Sequence, residues 1–154
     1  PAITTRGFGP DECARVAEDV GVTMALENHS SVMATAAQIR SLIDTVGSPQ
    51  LRTCPDPTNF VPGVFENPSD GHCWERVYAE TKLVAPLAAH AHIKYAGLTG
   101  GDAWAGYDLQ RLRSLYARAG YDRAMAIEPI CKESLLDDLA QARRILEREL
   151  SAPP

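Results

Sequence analysis

Four side chains able to bind a metal or move a proton recur along the chain: Glu27, Asp56, His92 and Glu128. Each stands in or just beyond a short apolar run (VTMAL, LRTCP, AHAHIK and RAMAI). The successive spacings are 29, 36 and 36 residues. A βαβ unit takes about 30 residues or more, so the spacing predicts one such residue per unit, all at the same edge of a parallel sheet. Carboxylate oxygens with one imidazole nitrogen suit divalent ions, with Mn favoured and Mg, Co or Zn as alternatives. A structural zinc site would draw on Cys or His instead. A bound ion would act as a Lewis acid toward a substrate carbonyl and its neighbouring hydroxyl. One glutamate could then take a carbon-bound proton and the other return it elsewhere. The catalytic expectation therefore falls on Glu27 and Glu128, and the metal-ligand expectation on all four residues.

A lone carboxylate at a strand end is more often a helix cap or an ion-pair partner. Four ligand-type residues at corresponding ends favour a site. Around them stand residues with two readings each. Asn28 and His29 either contact substrate or turn the chain, and Asn59 either binds or caps its loop. His90 faces the same way as His92 and reads as a ligand, a substrate contact or a satisfied buried histidine, with a non-ligand role favoured. Lys94 either binds an anionic or hydroxyl group or pairs with a carboxylate. Trp74 reads as core. Trp104, among glycines, is either core or a shield for a sugar face.

The elements that must position these residues follow from periodicity. DECARVAEDVG predicts a helix with Cys13, Val16, Ala17 and Val20 on one face, acidic residues at its start and Gly21 at its end. VTMALE is a strand. Thr35 caps the helix AAQIRSLIDTVG, whose stripe is Ile39, Leu42, Ile43 and Val46. LRTCPD is a strand whose ladder must end at Pro55, since proline has no N–H. NFVPGVFENPSDGH is a long loop, a segment type that is often functional. WERVYAETKLVAPLA is a helix ending near Pro86, AAHAHIKYAG a strand, and a glycine-bearing loop runs on through Gly106. DLQRLRSLYARAG is amphipathic, RAMAIE is the fourth strand, and KESLLDDLAQARRILEREL is the last helix. A helix followed by four strand–helix units implies a parallel sheet with helical crossovers.

Strand parity says which way the sheet faces. Alternate side chains share a face. Thr23, Ala25 and Glu27 lie together, as do Arg52, Cys54 and Asp56, then His90, His92 and Lys94, then Ala124, Ala126 and Glu128. The opposite faces carry bulky apolar residues and should meet the helices. A doubly wound sheet buries apolar residues on both faces. Small and polar residues on one face fit the inner wall of a barrel, whose functional groups lie at the C-terminal strand ends. Four strands make half of an eight-stranded (βα)8 barrel.

Bulk composition narrows the partners. The chain has 154 residues, enough for one domain spanning 1–154, with a net charge of −5. That charge disfavours the clustered basic surface of a nucleic-acid binder. No apolar run approaches the roughly 20 residues of a membrane span, and no signal peptide is visible. The four cysteines, Cys13, Cys54, Cys73 and Cys131, form no CxxC pair and read as reduced thiols of a cytoplasmic protein.

The motifs ALENHSS, SLIDTVGSPQLRTCPDPTNF, AHAHIKY and RAGYDRAMAIEPI resemble the second half of the xylose isomerase-like barrel superfamily. That group includes sugar phosphate isomerases, ketose 3-epimerases, inosose dehydratases and endonuclease IV-type enzymes. The resemblance implies a TIM barrel whose N-terminal half is absent from this chain. It places Glu27, Asp56, His92 and Glu128 on the four metal positions of the epimerase-like members, and the two glutamates on their proton-transfer pair. Asn59 stands where several members carry His, and Tyr95 where many carry an acid. The resemblance implies a metal-dependent sugar or sugar-phosphate isomerase or epimerase working through an enediolate. A dehydratase of a cyclic polyol, an endonuclease IV-like phosphodiesterase and an inactive half-barrel are the alternatives. A half-barrel leaves two open strand edges, so self-association or an N-terminal half-barrel partner is expected.

Overall fold

Short apolar runs alternating with amphipathic stretches divide the labour: strands form a wall and helices back it. The computed structural model describes residues 9–29, 33–99, 103–106, 108–130 and 135–151. The main strands are β1 (Met24–Glu27), β2 (Leu51–Cys54), β3 (Ala91–Tyr95) and β6 (Met125–Pro129). The helices are α1 (Pro10–Val20), α2 (Ala36–Val46), α3 (Gly71–Val84), α4 (Leu109–Arg118) and α5 (Leu135–Ser151). A helix thus precedes four strand–helix units, as the sequence predicts.

Pairing is parallel throughout the wall. β1 pairs with β2, with Glu27 opposite Cys54. β3 pairs with β6, with Lys94 opposite Glu128. The two pairs are joined by a parallel bridge from Thr53 to Ala88 and by the His92 N–H donating to the Pro55 carbonyl at 3.0 Å. The spatial order β1–β2–β3–β6 is therefore the chain order, as in one half of a (βα)8 barrel. Among the described residues, β1 pairs with β2 alone and β6 with β3 alone, so both outer edges are open.

The apolar parity points at the helices. Leu51, Ala91, Ile93 and Tyr95 are buried in one core with Ile39 and Ile43 of α2, Val77 and Val84 of α3, Leu112 and Tyr116 of α4, and Ala142 and Ile145 of α5. Thr53 shares that face and satisfies its hydroxyl on the Val84 carbonyl at 3.0 Å. Local sequence starts each helix. Thr35 accepts from the Gln38 N–H, and the Gln38 side chain accepts from the Thr35 N–H, a reciprocal cap. Asp70 and Asp108 cap α3 and α4 with their carboxylates. Tertiary bonds add to two of these starts: the Ala36 N–H donates to Glu80 Oε2 at 2.7 Å, and the Asp108 N–H to the Tyr78 hydroxyl at 2.8 Å.

Three expectations change. The α1 face is rotated: Ala14 and Ala17 are buried, while Val16 and Val20 are 56% and 64% exposed. The alanines turn toward the body of the fold, and the valine side stays exposed. The long loop is not irregular throughout. It opens with a 3-10 turn (Pro57–Phe60), and Phe60, Val61 and Val64 enter the core. The glycine-bearing loop after β3 contains a two-residue antiparallel pair, β4 (Leu98–Thr99) with β5 (Ala103–Trp104). Trp104 is 6% exposed, packs edge-on against Tyr95 and donates its indole N–H to the Lys94 carbonyl at 3.2 Å. It is a core residue, as is Trp74, so of the two readings for Trp104 the sugar-shield one falls. Within the described residues Cys13, Cys54 and Cys73 are free thiols, and Cys131 lies outside them. No helix of the described residues is long and apolar enough to cross a membrane.

Candidate metal centre

The strand ends converge. One ligand atom each from Glu27, Asp56, His92 and Glu128 lies within 4.8 Å of the other three. Ligands on opposite sides of one divalent ion stand about 4–5 Å apart, given metal–oxygen distances of about 2.0–2.6 Å. The four groups are thus close enough to share an ion. His92 Nδ1 stands 3.4 Å from Glu27 Oε1 and 3.6 Å from Glu128 Oε2. It is a buried nitrogen with no hydrogen-bond partner. Buried polar atoms are rarely left so, and an imidazole nitrogen aimed between two carboxylates is what a divalent ion would satisfy. On donor chemistry and on this orphaned nitrogen, the residues fit a metal.

The four groups differ in freedom. Asp56 is fully buried. Its Oδ1 accepts from the Thr58 N–H at 3.2 Å and the Thr58 hydroxyl at 3.0 Å, and its Oδ2 pairs with the Lys94 ammonium. Its own peptide is clamped by Asn28, whose Nδ2 donates to the Asp56 carbonyl at 2.7 Å and whose Oδ1 accepts the Asp56 N–H at 2.8 Å. Glu27 and Glu128 keep side-chain exposures of 36% and 42%. The two carboxylates expected to move protons are therefore the two a substrate can reach.

The surrounding candidates divide. Asn28 is fully buried, and both ends of its amide are taken up by the Asp56 peptide, which it positions. Asn59 donates to Glu27 Oε1 at 3.4 Å and to the Asn28 carbonyl at 3.0 Å, and its Oδ1 accepts from Lys94 at 3.1 Å. Lys94 also reaches Glu128 Oε2 at 3.1 Å. Burial pulls the Lys94 ammonium toward neutrality, but hydrogen bonds and charge from Asp56 and Glu128 outweigh it and hold the group protonated more firmly than usual. His90 stands edge-on to His92, with ring centroids 5.4 Å apart, and is not in the converging set. His29 is exposed just beyond β1. Sequence reasoning missed Thr58. The signal was present in Asp56-Pro57-Thr58, since an aspartate side chain commonly bonds backbone two residues on.

Cys54 lies buried beside the cluster. Burial first, then the carboxylates of Glu27, Asp56 and Glu128, push its thiol up to about 11. Against an ordinary value of 9.0, that leaves about a hundredfold less thiolate near pH 8. Alkylation of native Cys54, followed by mass spectrometry, should be slow and should keep accelerating past pH 10. A rate that levels off near pH 9 would show an ordinary thiol. Because the folded form holds its proton more tightly, this group's contribution to stability is full below about pH 9 and is lost as pH rises through about 11.

A parallel β/α wall with an acid and imidazole cluster at its C-terminal strand ends defines a barrel-type protein with a candidate metal centre. The family model of the xylose isomerase-like TIM barrel matches residues 10–149, and the chain belongs to that family. No curated protein matches the chain. The family includes isomerases, epimerases and endonuclease IV-like enzymes, and its members often bind divalent metals.

Proposed function

We propose that this chain carries the proton-transfer and metal-binding half of an isomerase or epimerase acting on a sugar or sugar phosphate. The observation that carries the reading is the convergence of Glu27, Asp56, His92 and Glu128 within 4.8 Å. A divalent ion held by these four residues, Mn for preference, supplies Lewis acidity that stabilises negative charge on a substrate oxygen. The remaining work belongs to side chains. Glu27 and Glu128 project from the outermost strands of the wall, each partly open to solvent. One takes the proton from the carbon beside a carbonyl, and the other returns a proton to the enediolate at the neighbouring carbon or the opposite face. Asn59 steadies Glu27, and Lys94 bridges Asp56 to Glu128.

The open edges of β1 and β6 support a partner for the wall. Exposed apolar side chains occur in the chain next to each strand: Val16, Val20 and Val22 before β1, and Ile130, Leu135 and Leu136 after β6. We infer that a second set of strands, from self-association or from an N-terminal half-barrel, covers them and completes the substrate pocket.

The test is hydrogen exchange. The protein with Mn should incorporate solvent deuterium at the carbon adjacent to the carbonyl of a ketose or ketose phosphate. Exchange should stop on chelation and fall to background in Glu128→Gln. Equal exchange by that variant would sink the proposal, and a product lighter by one water would point to a dehydratase.

A further inference from the structure

The metal reading leaves one residue unexplained. Lys94 lies on the inner face of β3, two residues from His92 and directly across from Glu128 on β6. Its ammonium has three donors and no acceptor. All three find oxygens: Asp56 Oδ2, Asn59 Oδ1 at 3.1 Å and Glu128 Oε2 at 3.1 Å. The side chain is only 13% exposed. Two of the four converging carboxylate and imidazole groups are therefore already bound to a positive charge.

The other oxygen of Asp56 is not spare. Thr58 donates to it from both its N–H and its hydroxyl. For Asp56 to serve a metal ion through Oδ2, the ammonium must move. Two cations sharing one pair of carboxylates within contact distance repel strongly, even at the effective dielectric of a protein surface. Glu27, in contrast, forms no ion pair with Lys94 among the described residues, and the orphaned His92 nitrogen lies between Glu27 Oε1 and the Glu128 Oε2 that Lys94 also reaches.

We propose that Lys94 is an internal cation that holds the metal-free cluster together and competes with the divalent ion for Asp56 and Glu128. Metal loading then displaces its ammonium. The inference rests on the metal reading and deepens it: the site is tuned toward weaker, reversible metal binding by a residue of its own wall.

The experiment is calorimetric titration of Mn into the wild-type chain and Lys94→Met. The variant should bind at least about tenfold more tightly, a coupling of the ordinary size between two linked sites. Its metal-free form should melt at a lower temperature, because buried Asp56 has lost its counter-ion, and Mn should raise its melting temperature more than that of wild type. Equal or weaker Mn binding by Lys94→Met overturns the competition while leaving the metal site standing. Absence of Mn binding by both proteins overturns the metal reading and this inference together. A measurement on wild type alone guards against a variant that does not fold. Reductive methylation read by mass spectrometry should label Lys94 faster with Mn than without it, as the ammonium is released. Labelling unchanged at saturating Mn would overturn the proposal.

Discussion

Asn28→Ala is expected to cost about 2 kcal/mol of folding stability, since a buried backbone group left without a partner costs about 1–3 kcal/mol. The side chain is fully buried and binds both the N–H and the carbonyl of Asp56. It acts where the sheet cannot. The β1–β2 ladder ends at Glu27 and Cys54, and Pro55 then offers no N–H. The amide of Asn28 takes over from the ladder as a side-chain rung and carries the join past Pro55 to Asp56. Alanine removes both bonds, leaving the buried Asp56 N–H unpaired and its carbonyl with only the Asn59 N–H at 3.2 Å. Asn28→Asp retains an acceptor for the Asp56 N–H but loses the donor to its carbonyl, and it adds charge to an acidic cluster, so it should be no milder. Urea unfolding of both variants checks this. A midpoint equal to wild type would mean that the clamp is dispensable. Mn affinity should fall alongside stability, because Asp56 is no longer held.

Gly106→Ala should be comparably severe, by a different route. Its φ is +86°, and a Cβ there would lie 2.4 Å from Cζ2 of Trp74 and 2.5 Å from its Cη2. Trp74 cannot easily give way. Its indole N–H is held by the Pro68 carbonyl at 2.9 Å, and its ring meets Phe65 edge-on at 5.8 Å. The left-handed backbone costs about 1 kcal/mol for an L residue, and forcing extra volume into a packed site adds about 1–3 kcal/mol. Gly120→Ala separates the two contributions. Gly120 has φ +75°, but no atom lies within 4 Å of the point where its Cβ would stand, so only the backbone part applies. Thermal melts should show a large drop for Gly106→Ala and a small one for Gly120→Ala. Equal drops would mean that the contact with Trp74 is relieved at no cost.

Much of the wall was legible because its signal is periodic. Alternation in VTMALE, LRTCPD, AHAHIK and RAMAIE sets which residues face the helices, and regular spacing brings their last polar residues to one edge. The candidate site was legible for the same reason: each unit contributes one member at an equivalent place. What escaped was non-periodic. The Asn28 clamp spans 28 residues from side chain to backbone, and nothing near Asn28 in the sequence announces it. Pro, Gly and Asn correctly marked residues 59–72 as largely irregular, but composition does not reveal that Phe60, Val61 and Val64 are buried. The α1 face was misread because its valines outrank its alanines in hydrophobicity, whereas Ala14 and Ala17 are the residues buried.

The two glutamates come from the outermost strands of the wall and the aspartate and histidine from the central pair. Adjacent strands lie about 4.8 Å apart, so in a flat sheet β1 and β6 would be separated by about 14 Å. Yet Glu27 and Glu128 bring ligand atoms within 4.8 Å of each other. Curling of the sheet and the length of the two side chains must close that gap. Their separation is therefore a gauge of wall curvature, and anything that bends or flattens the wall at its rims acts on the two glutamates before it acts on Asp56 or His92.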